Sequence, residues 1–213
     1  MSTTKKTLRM VQLAILTAII IVLAVTPFLG YIPVGTIQAT TIHIPVIIGA
    51  ILLGPSAGAF LGGVFGLTSF LNNTLTYKLT SFVFTPVYSA PGEDFGSPWS
   101  LVICFVPRIL IGVVAGYLYK ALKALFKSRE KDIISISVAA VLGSLTNTIL
   151  VMAGIYFFFG SAFAEASGMA FNELLSYIIT TVVAVNGVVE ALVAGLITVL
   201  IVRPLMAFMK RKS

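Results

Sequence analysis

The chain reads as a series of long apolar runs separated by short clusters of charge, glycine and proline. Six runs stand out: Arg9 to Val25, Ile37 to Leu53, Gly58 to Leu75, Trp99 to Leu125, Ile133 to Phe159 and Leu174 to Val202. They are continuous, whereas a porin-type barrel would alternate polar and apolar residues over segments of about ten. A hydrocarbon core of about 30 Å takes roughly 20 helical residues. The pattern therefore predicts an all-α membrane protein with six transmembrane helices in a single domain over residues 1–213. Thr26-Pro27 and Gly54-Pro55 mark the first two stops. The last run, at 1.5 Å per residue, is about 44 Å long and must tilt or project. The first run resembles a secretory signal, with Lys5, Lys6 and Arg9 ahead of it, but its length and the lack of a small-x-small site after Pro27 predict that it is retained.

Composition strengthens this reading. The 213 residues are 58% hydrophobic and 10% charged, with a mean hydropathy of +1.07, against about 45–50% and about 25% in soluble domains. Cys104 is the only cysteine, so a disulfide framework is excluded.

Charge sets the expected orientation. Basic residues cluster at cytoplasmic helix ends. With the N-terminus inside, Lys5, Lys6, Arg9, Lys120, Lys123, Lys127, Arg129, Lys131, Arg203, Lys210, Arg211 and Lys212 are all cytoplasmic, leaving two of the fourteen elsewhere. Both termini are expected in the cytoplasm. The net charge of +7 then reflects anchoring and contact with anionic lipid, not a nucleic-acid partner.

The outer connections are long and rich in Gly, Pro, Thr and aromatics: Phe28 to Gln38, Asn72 to Pro98 and Gly160 to Asn172. Long loops of this kind serve as lids or binding loops. Tyr77, Phe82, Phe84, Tyr88 and Trp99 fit either a capped, outward-facing cavity or an interfacial aromatic belt.

Polar residues inside the spans are costly unless they face protein or water. Arg108 falls nine residues past Trp99, about 12 Å into its helix, beside a small-residue face of Gly112, Ala115 and Gly116. Glu190 has Asn186 one turn before it on the same face, and Asn147 sits at comparable depth. His43, with Gln38, Thr40 and Thr41, lines the outer start of the second run. Two readings of this set compete. Arg108 and Glu190 could form a buried ion pair with the asparagines as interhelical glue. Alternatively, they line a pocket for a small polar solute, where a guanidinium recognises a carboxylate or phosphate.

Catalytic signatures are missing: no HExxH, G-x-S-x-G elbow or paired Cys/His spacing occurs, and no Walker loop. No enzyme, metal or cofactor is expected, and energy for transport must come from elsewhere. Glycines recur at 54, 58, 62 and 66, and Ala14 and Ala18 form a small-x-x-x-small pair, faces that allow close helix approach.

With these features the chain resembles the substrate-binding S components of energy-coupling factor vitamin transporters. About 200 residues, six helices, long outer loops and Ala14-x-x-x-Ala18 carry the likeness. The stretch from Gly30 to Pro55, followed by Gly58 to Thr74, is most similar to the pantothenate branch. The resemblance implies a high-affinity subunit in the plasma membrane that captures a vitamin from outside and topples to deliver it. It also implies a transmembrane coupling subunit, met at Ala14 and Ala18, and two ATPase subunits. Folate, riboflavin or cobalamin as solute, or a stand-alone small-solute channel, are the alternatives. The expected solute contacts are Arg108, Asn147, Asn186, Glu190, His43, Gln38 and Tyr77.

Overall fold

The computed structural model describes residues 3–34, 37–126 and 132–211, without the side chains of 3–5, 33, 34, 37–39, 210 and 211. Helix α1 (Thr3–Val25) stops where Pro27 cannot continue it. The chain turns back through Phe28, at φ +60°, into an antiparallel hairpin of β1 (Tyr31–Val34) and β2 (Ile37–Thr40). Helix α2 (His43–Leu53) and helix α3 (Pro55–Leu75) follow, separated only by Gly54 at φ +97°. Helix α4 (Trp99–Leu125) and helix α5 (Asp132–Ala166) come next, the latter kinked at Phe159. The last rod begins as α6 (Phe171–Tyr177), passes through a π-helical stretch (Ile178–Gly187) and ends as α7 (Val188–Arg211).

Six helical rods result, but the second differs from expectation. The run from Ile37 to Leu53 is not one span: its first four residues are a strand, and the eleven-residue α2 is only about 16 Å long. Residues 43–51 of α2 are buried throughout, so α2 is a core element, with its neighbours taking the lipid. Among the described residues four helices, over Lys6–Val25, Trp99–Leu125, Asp132–Ala166 and Phe171–Met209, are long and apolar enough to cross a bilayer; of the six expected spans, α2 is too short and α3, with its glycines and polar residues, is not one of these four.

The glycines of α3 meet the small face of α4. A Cβ on Gly58 would lie 2.8 Å from the Gly112 backbone, one on Gly62 would lie 2.2 Å from the Arg108 carbonyl oxygen, and one on Gly116 would lie 2.8 Å from Pro55. Backbones pack directly along this seam, and the Cys104 thiol donates to the Gly66 carbonyl at 3.4 Å.

The two ends of the bundle differ. At one end, Arg9 donates to the Ser56 hydroxyl at 3.1 Å, and Lys123 to the Tyr119 hydroxyl at 3.0 Å. At the other, the connection from α3 to α4 is folded down onto the helices. Ser81 and Thr85 are fully buried, and Phe82 nearly so. The Ser100 hydroxyl donates to the Phe82 carbonyl at 2.6 Å, and the Tyr88 hydroxyl to that of Thr74 at 2.9 Å. Phe82 joins a second apolar core with Ile103, Ile155, Phe159, Phe163 and Leu174.

Candidate functional site

Between this folded connection, the hairpin and helices α3, α4, α5 and α7 lies a cavity of about 420 Å³, within the roughly 300–1,000 Å³ range of small-molecule sites. Val151, Met152, Ile155, Phe163 and Phe65 are among its apolar lining residues, and Arg108, Asn147, Asn186 and Glu190, with Ser69 and Asn73 from α3, among its polar ones.

Arg108 owes its position to one feature of α3 and one of α4. Gly62 lets the α3 backbone touch the Arg108 carbonyl. Pro107 lies inside the helix and has no N–H, so the carbonyl four residues earlier, that of Ile103, lacks its helical donor. The Arg108 guanidinium takes that carbonyl, Nη1 donating at 2.7 Å. Helical side chains point back toward the N-terminus, which brings the guanidinium to this oxygen. Its carbon lies 5.0 Å from the centre of the Phe84 ring and 5.7 Å from that of Phe65, both within cation–π range. Arg108 is 7% exposed, and its Nε has no partner.

Glu190 does not pair with it. The Glu190 carboxylate accepts from the Thr40 backbone N–H at 3.1 Å, and no ion pair joins the two side chains. Asn147 is buried with its Oδ1 unpartnered. Unmet buried polar atoms cost about 1–3 kcal/mol each. Two of them on residues that line one cavity suit a polar guest.

Four of the expected solute contacts thus come together: Arg108, Asn147, Asn186 and Glu190. His43 does not join them. It is buried in α2 and hydrogen-bonded through Nε2 to the Ser144 hydroxyl at 3.1 Å, tying α2 to α5. Tyr77 is 63% exposed and packs edge-on against Tyr88, above the cavity in a second, outer depression. The side chain of Gln38 lies outside the described residues. Ala14 and Ala18 are exposed on the outer face of α1, whose other side packs through Leu13, Leu16 and Ile20.

The structure adds residues that the sequence reading had not selected. Phe65, Ser69 and Asn73 line the cavity from α3; they are spaced by four and begin three residues after Gly62, on the same side of the helix, which was a usable signal. Tyr31 enters from the hairpin, and Lys78 and Phe84 from the folded connection. Burial holds the Lys78 ammonium below its ordinary pKa and the Tyr31 hydroxyl above its own. Both shifts mark the mouth as poorly solvated.

Comparison with known proteins places this geometry in a lineage. The model of the family "ECF transporter, substrate-specific component" matches residues 8–202. The pantothenic acid transporter PanT of Lactococcus lactis subsp. cremoris is 38% identical over 191 residues, 89% of each chain. The pantothenate transporter PanT of Leuconostoc mesenteroides is 36% identical over 107 residues, 46% of this chain and 44% of that protein. Among solved structures, the biotin S component of an ECF-type ABC transporter shares the fold, with TM-score 0.52, 17% identity and 93% of each chain covered. The chain therefore belongs to the family of substrate-specific components of ECF transporters, multi-pass membrane transport subunits and not enzymes.

Proposed function

We propose that this protein captures pantothenate from outside the cell in the cavity around Arg108 and passes it inward as part of an ATP-driven complex. The observation that carries the reading is a buried guanidinium with no carboxylate partner among the described residues, in a cavity lined by both polar and apolar side chains. Pantothenate has matching parts: one carboxylate for Arg108, hydroxyl and amide groups for Asn147 and Asn186, and a branched apolar centre for Val151, Met152 and Ile155. The names of the two pantothenate transporters support the choice of solute. Calorimetry on the detergent-solubilised protein tests it: pantothenate binds near one to one, and folate, riboflavin and cobalamin do not displace it. Stoichiometric binding of another vitamin instead would reassign the solute.

In this reading both termini are cytoplasmic. The end carrying Arg9, Lys120, Lys123 and Arg203 faces inward, in line with the bias of basic residues toward that side, and the cavity opens outward. The family membership supports a coupling subunit and two ATPase subunits as partners, met through the exposed face of α1. Replacing Ala14 and Ala18 together by Trp is expected to abolish co-purification with the coupling subunit, because bulky side chains separate closely packed backbones. Pantothenate binding by the isolated subunit is expected to survive. Equal co-purification of mutant and wild type would place the interface elsewhere.

Lys78 offers a probe of occupancy. It lines the cavity from the connection between α3 and α4, so a bound solute holds that segment in place. Tryptic cleavage after Lys78 is expected to slow several-fold in saturating pantothenate; unchanged cleavage would mean that the segment does not close over the solute.

A further inference from the structure

The hairpin register turns the Thr40 backbone donor away from its own ladder, and the last helix meets it there. In antiparallel strands, hydrogen-bonded and non-hydrogen-bonded pairs alternate. The Thr41 N–H donates to the Gly30 carbonyl at 3.1 Å, which makes 30 and 41 a bonded pair. Tyr31 and Thr40, the next pair in register, are therefore non-bonded, and the Thr40 N–H is directed outward from β1. The Glu190 carboxylate on α7, 150 residues away in sequence, accepts this N–H at 3.1 Å. The same alternation puts Pro33, opposite Gln38, at a non-bonded position, where its missing N–H costs no ladder bond.

Thr40 and Tyr31 both line the cavity, and so does Glu190. The base of the hairpin is fixed independently: the Thr41 hydroxyl donates to the Leu29 carbonyl at 2.6 Å, and Gly30 sits so close to α1 that a Cβ would lie 2.2 Å from the Leu23 carbonyl oxygen. The hairpin thus has a rigid root on α1, and at its cavity edge a charge-assisted bond to the last helix.

We propose that Glu190 is a positioning residue, a latch that holds the cavity edge of the β1–β2 hairpin against α7 and sets how fast solute enters and leaves. This rests on the reading of the cavity as the pantothenate site, and it assigns Glu190 to the hairpin in place of the solute hydroxyls. A latch closed in both the empty and the filled protein slows arrival and departure alike, because only the unlatched fraction is competent for either. A direct solute contact behaves differently: its loss speeds departure alone.

The test has two arms. In the first, spin labels at Ile32→Cys and Val189→Cys, both exposed positions, in a Cys104→Ser background report the hairpin-to-α7 distance without solute. The distribution is expected to be narrow with Glu190 present, clearly broadened by Glu190→Ala, and less so by Glu190→Gln, whose amide oxygen still accepts a neutral bond. In the second, association and dissociation rates of radiolabelled pantothenate are expected to rise together, about tenfold for Glu190→Ala and about threefold for Glu190→Gln. An unchanged distance distribution in Glu190→Ala overturns the latch. So does a rise in dissociation alone in either variant. Should the alanine variant fail to fold, the glutamine variant decides both arms. If the wild type binds no pantothenate, the proposed solute fails, while the distance arm still reads the latch.

Discussion

Arg108→Ala is expected to weaken pantothenate binding by more than about twentyfold, the largest effect of any single cavity substitution. Truncating one partner of a buried, hydrogen-bonded charge pair typically costs about 2–5 kcal/mol, and each 1.4 kcal/mol is tenfold. Here the pair forms only when the carboxylate of the solute arrives, because no acidic side chain among the described residues pairs with the guanidinium. Lysine is expected to rescue only part of the loss. An ammonium lacks the planar fork and would have to keep the Ile103 carbonyl and meet the solute with one nitrogen. Calorimetry on monodisperse variants measures both. Near wild-type affinity for Arg108→Ala would mean that the guanidinium serves α4 alone, as a cap for the carbonyl that Pro107 leaves open.

Gly62→Ala is expected to damage binding and stability together, whereas Gly63→Ala, one residue along, is expected to be neutral or mildly stabilising. A Cβ at position 62 would fall 2.2 Å from the Arg108 carbonyl oxygen and 2.8 Å from the Ile109 Cα, both backbone atoms that no rotamer change can move. Helices α3 and α4 would have to separate by about 1 Å along a seam that also includes Gly58 against Gly112. Overpacking of this kind costs about 1–3 kcal/mol, and it shifts the very segment that presents Arg108. At Gly63 nothing lies within 4 Å of the added carbon, so only the helix preference for alanine over glycine remains, up to about 1 kcal/mol in favour. Melting in detergent together with pantothenate affinity separates the two. If the variants melt and bind alike, the seam yields too easily to position the arginine.

The contrast between these neighbours also explains what the sequence could and could not reveal. Glycine spacing of four was visible, and so was the small face of α4, because both follow from helical periodicity; that the two faces meet required the third dimension. Arg108, Asn147, Asn186 and Glu190 were recognisable because a polar side chain deep in an apolar run needs a polar setting. The bounds of α4, Trp99–Leu125, were legible because Ser97-Pro98 precede it and a run of charge from Lys127 to Lys131 follows it in the sequence.

The hairpin was not legible. Ile37 to Thr40 alternates apolar and polar residues over only four positions, too short a stretch to announce a strand by itself, and here the apolar run that follows into α2 favoured helix. His43 was misplaced as a consequence: with α2 beginning at His43 itself, its ring is turned into the core toward Ser144. Tyr77 carries the right chemistry but belongs to the exposed start of the folded connection and does not line the cavity, and the packing of that connection onto Phe159 and Phe163 is announced by no local pattern. Nor does anything in Ile178–Gly187 signal a π-helix, although it ends at Gly187 on the cavity wall, consistent with the frequent occurrence of such stretches at functional sites.

Trp99 is the chain's single tryptophan, and its indole lies parallel to the Phe158 ring, 4.1 Å between centroids and 9° between planes. Phe158 precedes the kink of α5 at Phe159, which in turn packs edge-on against Phe82 of the folded connection. The protein thus contains one indole, which can be excited apart from its seven tyrosines at the red edge of absorption, linked through neighbouring rings to the segment over its cavity. Its emission wavelength and anisotropy give a label-free optical readout of that segment, uncontaminated by any second indole.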